Sequence, residues 1–193
     1  MNIVSKRFDE LADLIPNFKK ACETPIVAAA NKISETFANG NKILICGNGG
    51  SAADSQHFAA EFVNAFSRSI SRKGLPAIAL TTDSSVLTAI SNDFSYEDIF
   101  ARQVQALSTP GDILIVFTTS GTSKNCIKAV REASDCGVQT IAFTRSGAEI
   151  SNLVNLSIEV PSINTQHIQE CHILAYHVVA EMVEKTLFEG VDS

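Results

Sequence analysis

The chain has 193 residues, with 15 Lys and Arg against 21 Asp and Glu and a formal charge of −6. That length suits one sizeable core, and the absence of a basic cluster excludes a nucleic-acid backbone as the main partner, since such binding needs a basic face. No apolar signal region follows Met1 and no stretch approaches the roughly 18 apolar residues of a membrane span, so a cytoplasmic protein with no membrane partner is expected.

Two helices are predicted first, near 3–22 and 25–39. Leu11, Leu14, Ile15 and Phe18 recur at helical spacing, then Ile26, Val27, Ala30, Ile33 and Phe37 repeat the pattern, and Asn39-Gly40-Asn41 ends it. Short apolar runs near 42–46, 76–80, 112–117, 138–143 and 156–160 then read as strands. They are separated by helical segments near 51–66, 83–90, 97–107, 122–136 and 148–153, and a long apolar helix spans about 165–188. This alternation predicts an α/β fold with a doubly wound parallel sheet, in which Ile113–Phe117 is a central strand buried on both faces. The apolar surfaces of the first two helices and the last exceed what one small sheet should cover, which predicts an oligomer built through them; packing within the chain is the alternative. Five scattered cysteines, Cys22, Cys46, Cys126, Cys136 and Cys171, form no Cys-x-x-Cys pair and read as reduced, mostly buried thiols.

The most informative stretch is Ile43–Glu61. A buried strand ends in Gly47-Asn48-Gly49-Gly50-Ser51, the turn opens a helix, and that helix carries His57 and Glu61 at i and i+4, on one face. Glycines permit close backbone approach to a ligand, and a helix N-terminus favours an anion. The turn lacks the Lys of a nucleoside-triphosphatase loop and the glycine spacing of a dinucleotide fingerprint, which disfavours a nucleotide. A glycine turn needed for geometry alone, with a surface His–Glu pair, accounts equally well for these residues.

Other loops at strand carboxyl ends add to it, because ligands in such sheets bind there. Thr118-Thr119-Ser120-Gly121-Thr122-Ser123 has five hydroxyl residues in six positions, more than one helix cap requires, and suits a phosphate. Ser91-Asn92-Asp93-Phe94 reads as a loop between helices. On the last helix, His172 and His177 are about 140° apart, so both cannot face one site.

These motifs, in this order and spacing, resemble the sedoheptulose 7-phosphate isomerase (phosphoheptose isomerase) family of sugar isomerase (SIS) domain proteins over nearly the whole chain. The carrying residues are Cys46–Ser51, Asp54 with His57-Phe58-Ala59 and Glu61, Ser91–Phe94, Thr119–Ser123, and Ile168-Gln169-Glu170 with His172 and His177. The resemblance implies a flavodoxin-like five-stranded parallel sheet in a single SIS domain over 1–193, with an N-terminal helical pair over 1–40 used in oligomer packing and an α/β core with the C-terminal helix over 41–193. It implies conversion of sedoheptulose 7-phosphate to D-glycero-D-manno-heptose 7-phosphate, the first step toward activated heptose for lipopolysaccharide. It further implies a zinc ion (Zn2+) on His57, Glu61, Gln169 and His177, with Glu61 and His177 as the acid/base pair and His172 structural. Thr118, Thr119, Ser120 and Ser123 would bind phosphate; Asn48, Gly49, Gly50, Ser51, Asn92, Asp93, Glu61 and Gln169 would contact the sugar. A homotetramer with sites completed by neighbouring subunits is implied too.

Two departures bear on the sugar. Gln166 stands where the family commonly has an aspartate, and Ala65 where an arginine is usual, with Arg68 and Arg72 nearby in a segment about two residues longer than in many relatives. A rival reading is a non-catalytic relative that binds the bacterial replication initiator, which Asn41–Leu44 and Val86–Ile90 resemble. That branch lacks the acidic and histidine members of the metal pair, whereas Glu61 and His177 are present here. A sugar-phosphate sensor without zinc ligands is a third.

Overall fold

The computed structural model describes residues 2–189. Five parallel strands, β1 (Ile43–Gly47), β2 (Ala77–Ala79), β3 (Ile113–Phe117), β4 (Gln139–Arg145) and β5 (Leu156–Val160), form one sheet in the order β2-β1-β3-β4-β5. Register runs straight across the centre, Ile43 opposite Ile113 and Ile113 opposite Gln139. Between and around the strands lie α1 (Ile3–Ala38), α2 (Gly50–Val63), α3 (Ser84–Asp93), α4 (Ala101–Leu107), α5 (Lys124–Asp135) and α6 (Thr165–Phe188).

Successive strand residues point to opposite faces, and each face has its own helices. Ile43, Ile45, Ile113, Ile115, Phe117, Ile141 and Phe143 pack under α1, α2 and α6. Leu44, Cys46, Leu114, Val116 and Ala142 pack under α3, α4 and α5. The central strands β1 and β3 are buried at every position, as their unbroken apolar runs require.

The expected N-terminal helical pair is one continuous 36-residue helix with Pro16 and Pro25 inside it. Each proline removes a bond to the carbonyl four residues back, but those carbonyls belong to Ala12 and Ala21, which are exposed and can be solvated. The buried stripe Phe18, Cys22, Ile26, Ala29, Ala30, Ile33 and Phe37 runs through the second proline without a break, so packing along its length outweighs the local interruption. The helix expected near 148–153 is a short 3-10 turn, Glu149–Asn152. Ser91–Asp93, expected in a loop, are the last turn of α3, which Phe94 caps by donating its N–H to the Ile90 carbonyl. The cysteines are free; burial raises the thiols of Cys22 to about 12 and Cys171 to about 11 and lifts Cys46 well above its usual value, so they serve as apolar packing.

Candidate active site

The strand order reverses direction of growth at β1 and β3, and the crevice beyond their carboxyl ends is where a doubly wound sheet holds its ligand. Gly47 closes β1 there: a β-carbon on it would meet the Ser51 carbonyl oxygen at 2.7 Å and the Phe117 carbonyl oxygen at 2.9 Å, so only glycine lets the first turn of α2 sit against β3. Gly49, at φ +57°, supplies the left-handed step into the helix. Asn48, between them, exchanges two amide hydrogen bonds with Asn125 at 2.9 and 2.8 Å and accepts from the Tyr96 hydroxyl at 2.9 Å. The loop after β1 is thereby tied to the start of α5, which follows the hydroxyl loop after β3.

That hydroxyl loop is self-braced. The Gly121 N–H donates to Thr118 Oγ1 at 3.1 Å, Thr118 and Ser123 hydroxyls lie 3.4 Å apart, and the Thr122 N–H donates to Ser120 Oγ at 3.3 Å. Arg145 Nε donates to the Ser120 carbonyl from β4 at 3.3 Å. Thr119 is half-buried and Ser120 exposed, so the loop presents hydroxyls and backbone N–H groups, the donors a phosphate accepts from.

Three side chains converge, two of them four residues apart on α2 and the third more than a hundred residues further along the chain. His57 Nε2 lies 2.9 Å from Glu61 Oε1 across one turn of α2, and 3.4 Å from His177 Nε2 on α6. Donor atoms of His57, Glu61 and His177 all fall within 4.8 Å of one another, a spacing and donor set that fit one divalent metal ion. Burial, then the neighbouring His57, holds His177 below the usual imidazole value, which favours the neutral form that ligates. Gln169, two turns before His177, donates its amide to Asp54 Oδ2 at 2.9 Å and lies against Gly50. Asp54 is buried one turn before His57, and burial raises its carboxyl above the usual range.

His172 takes no part in this cluster. It is fully buried between Phe117 and Phe143, its Nε2 is 3.3 Å from the Thr144 carbonyl, and burial pushes it down to about 4, which makes it neutral packing. Asn92 and Asp93 stand apart as well: on the exposed last turn of α3 their side chains bond to each other at 2.8 Å, with no hydrogen bond to the other candidate residues among those described.

The SIS domain model matches residues 7–145. A phosphoheptose isomerase from Roseiflexus sp. (strain RS-1) is 55% identical over 185 residues, 94% of this chain and 93% of that protein. The chain belongs to the phosphoheptose isomerase family. Its fold agrees: the structure of a phosphoheptose isomerase from Francisella tularensis superposes with a TM-score of 0.90 at 38% identity, covering 94% of this chain and 96% of that one. A second phosphoheptose isomerase structure, from Neisseria gonorrhoeae, gives 0.88 at 40% identity over 94% and 97%.

The structure shows what surrounds the two positions singled out in the sequence, Ala65 and Gln166. Arg72 is spent on structure: its side chain is buried, Nε donates to Glu184 Oε1 at 2.7 Å, and its terminal nitrogens donate to the Glu61 and Phe62 carbonyls at 2.8 Å. It closes the carboxyl end of α2 directly behind Glu61, whereas Arg68 is exposed. Gln166 is exposed in the first turn of α6, beside His167, whose ring lies between Glu170 at 2.8 Å and Glu10 of α1 at 3.2 Å. Sequence reasoning missed Tyr96, Asn125 and Tyr176, because each contacts the site from an element distant in the chain and none lies in a motif.

Proposed function

We infer that the protein is a phosphoheptose isomerase, an aldose-ketose isomerase acting on sedoheptulose 7-phosphate. The observation that carries this is the convergence of His57, Glu61 and His177 in a chain 55% identical to a phosphoheptose isomerase. Converting the ketose to the aldose removes a proton from C1 and delivers one to C2 through an enediol, while the C2 oxygen gains a proton and the C1 oxygen loses one. Glu61 carries the carbon-bound proton, and His177 exchanges the oxygen-bound one. Thr118, Thr119, Ser120 and Ser123 hold the phosphate, and Asn48, Gly49, Gly50, Ser51, Asn92, Asp93 and Gln169 line the sugar. His57, Glu61, Gln169 and His177 hold zinc, which when bound polarises the carbonyl and hydroxyl oxygens. Its product feeds the making of activated heptose for lipopolysaccharide.

An oligomer is part of the proposal, with the whole chain acting as one SIS domain. A groove of about 440 Å³ between α1 and α6 is lined by Ile15, Phe18, Ile26, Val27, Leu174 and Met182, an apolar face that a second copy would cover. Four subunits packed through these helices would let neighbouring chains complete each site, and the exposed Asn92 and Asp93, which stand apart within one chain, would take part across such an interface. Light scattering after size exclusion reads the assembly.

The deciding experiment incubates metal-replete protein, chelator-treated protein and Glu61→Gln with sedoheptulose 7-phosphate and measures heptose 7-phosphate. Product from the first alone is expected; no product from it overturns the assignment. Binding of a replication initiator has no support in the comparisons reported above, and Glu61 and His177 would be unexplained in a scaffold.

A further inference from the structure

His57 is held from both sides. Its Nε2 faces Glu61 and His177, while Nδ1 lies 2.9 Å from the Tyr176 hydroxyl on α6. The phenol ring is fully buried, with ring centroids 5.2 Å from Phe58 and 5.7 Å from Phe117. A ring so packed cannot carry its oxygen away from His57. None of the motifs that mark the family site contains Tyr176, and neither catalysis nor substrate binding as proposed above uses it.

We infer that Tyr176 is the positioning residue of the metal-binding imidazole, fixing both the direction and the tautomer of His57. This rests on the metal reading of the triad given above. The hydrogen bonds assign the protons. Glu61, when ionised, only accepts, so a singly protonated His57 ring donates to it from Nε2 across 2.9 Å, and the Tyr176 O–H then donates to the bare Nδ1. With Nε2 given over to a metal, the neutral ring keeps its single proton on Nδ1, and the same hydroxyl oxygen accepts it. A hydroxyl donates and accepts, so one residue serves both states; a carboxylate or carbonyl, the usual outer partner of a ligating histidine, could serve only the second. Tyr176 does so without adding charge to a site already shared by Glu61 and the buried Asp54.

The test uses the full chain stripped of metal. Zinc affinity is measured by competition with a chromophoric chelator for wild type and Tyr176→Phe, which keeps the ring and its packing. An affinity lower by about 10–100-fold, the usual effect of losing an outer partner of a ligand, is expected with an unchanged melting temperature of the metal-free protein. Equal affinity in the two proteins overturns the proposal. Independently of any variant, two-bond 1H–15N spectra of histidine-labelled wild type, assigned with His57→Gln, are expected to show the His57 proton on Nε2 without metal and on Nδ1 with it. A metal-free ring protonated mainly on Nδ1, or on both nitrogens in mixture, also overturns it. Wild type that binds no zinc sinks the metal reading instead, and the metal-free spectrum still decides what Tyr176 does.

Discussion

Gln169 lies across the α-carbon of Gly50 so closely that a methyl group there would sit 2.5 Å from its amide nitrogen and 2.7 Å from its oxygen. The nitrogen donates to Asp54 Oδ2 at 2.9 Å, which fixes which way round the amide stands. Gly50→Ala therefore pushes Gln169 aside while improving helix propensity at the start of α2. Its activity on sedoheptulose 7-phosphate is expected to fall about 10–100-fold with the melting temperature held. Asp54→Ala, which removes the acceptor of the Gln169 amide, is expected to act in the same direction. Full activity in both variants would remove Gln169 from the site.

Arg72 and Glu184 are both buried and join the loop after α2 to α6. Glu184 also accepts the Phe66 and Ser67 N–H groups at 3.1 and 2.8 Å. Removing one partner strands the other's charge, which costs about 3–5 kcal/mol. For a chain of this size that is a fall of roughly 6–20 °C in melting temperature for Arg72→Met. The double variant Arg72→Met/Glu184→Leu is expected to be less destabilised than the sum of the two single changes, though not wild-type, because the two N–H groups lose their acceptor. Calorimetry on the four proteins gives the coupling directly.

Much of this architecture is readable because local pattern and tertiary role coincide. The apolar runs at 43–47 and 113–117 are strands for the same reason that they are buried on both sides, and His57 and Glu61 share a helix face by spacing alone. What was not readable depends on partners far away. Whether Pro25 breaks α1 is decided by the stripe on either side of it, and the turn residues Ser91–Asp93 extend α3 because Asp83 caps its start and Phe94 its end. Helical geometry separated His172 from His177 but could not rank them; the packing against Phe117 and Phe143 does. Tyr176 carries no mark of its role in the sequence, since nothing local announces that its hydroxyl meets His57.

Two histidines should shape stability against pH in opposite senses. His172, held at about 4, stays neutral while the unfolded chain takes up a proton near 6.5, so its contribution is intact above that value and is lost as pH falls toward 4, by up to about 3 kcal/mol. His167 is raised, by Glu170 first and then Glu10, so the stability it gives between α6 and α1 is present below about 6.5 and is lost as pH rises through its folded value. Melting curves across the pH range should show a flatter acid limb in His172→Leu and a flatter alkaline limb in His167→Gln. The same slope in either variant as in wild type would show that the histidine is not titrating as its surroundings require.

Gly121 is the point at which the hydroxyl loop is least replaceable. Its φ is +70°, a β-carbon would lie 2.3 Å from that of Ala148, and its N–H fixes Thr118 Oγ1. An alanine there must displace the loop from the turn beneath it, and with it the Thr118, Ser120 and Ser123 hydroxyls proposed to hold the phosphate. Because groups holding the phosphate would bind a part of the substrate that does not react, their loss should appear first as weaker binding. Gly121→Ala is expected to raise KM for sedoheptulose 7-phosphate by about tenfold or more with a smaller change in kcat, and to weaken inhibition by inorganic phosphate in parallel. A variant that loses kcat while KM and phosphate inhibition stay at wild-type values would move the phosphate out of this loop.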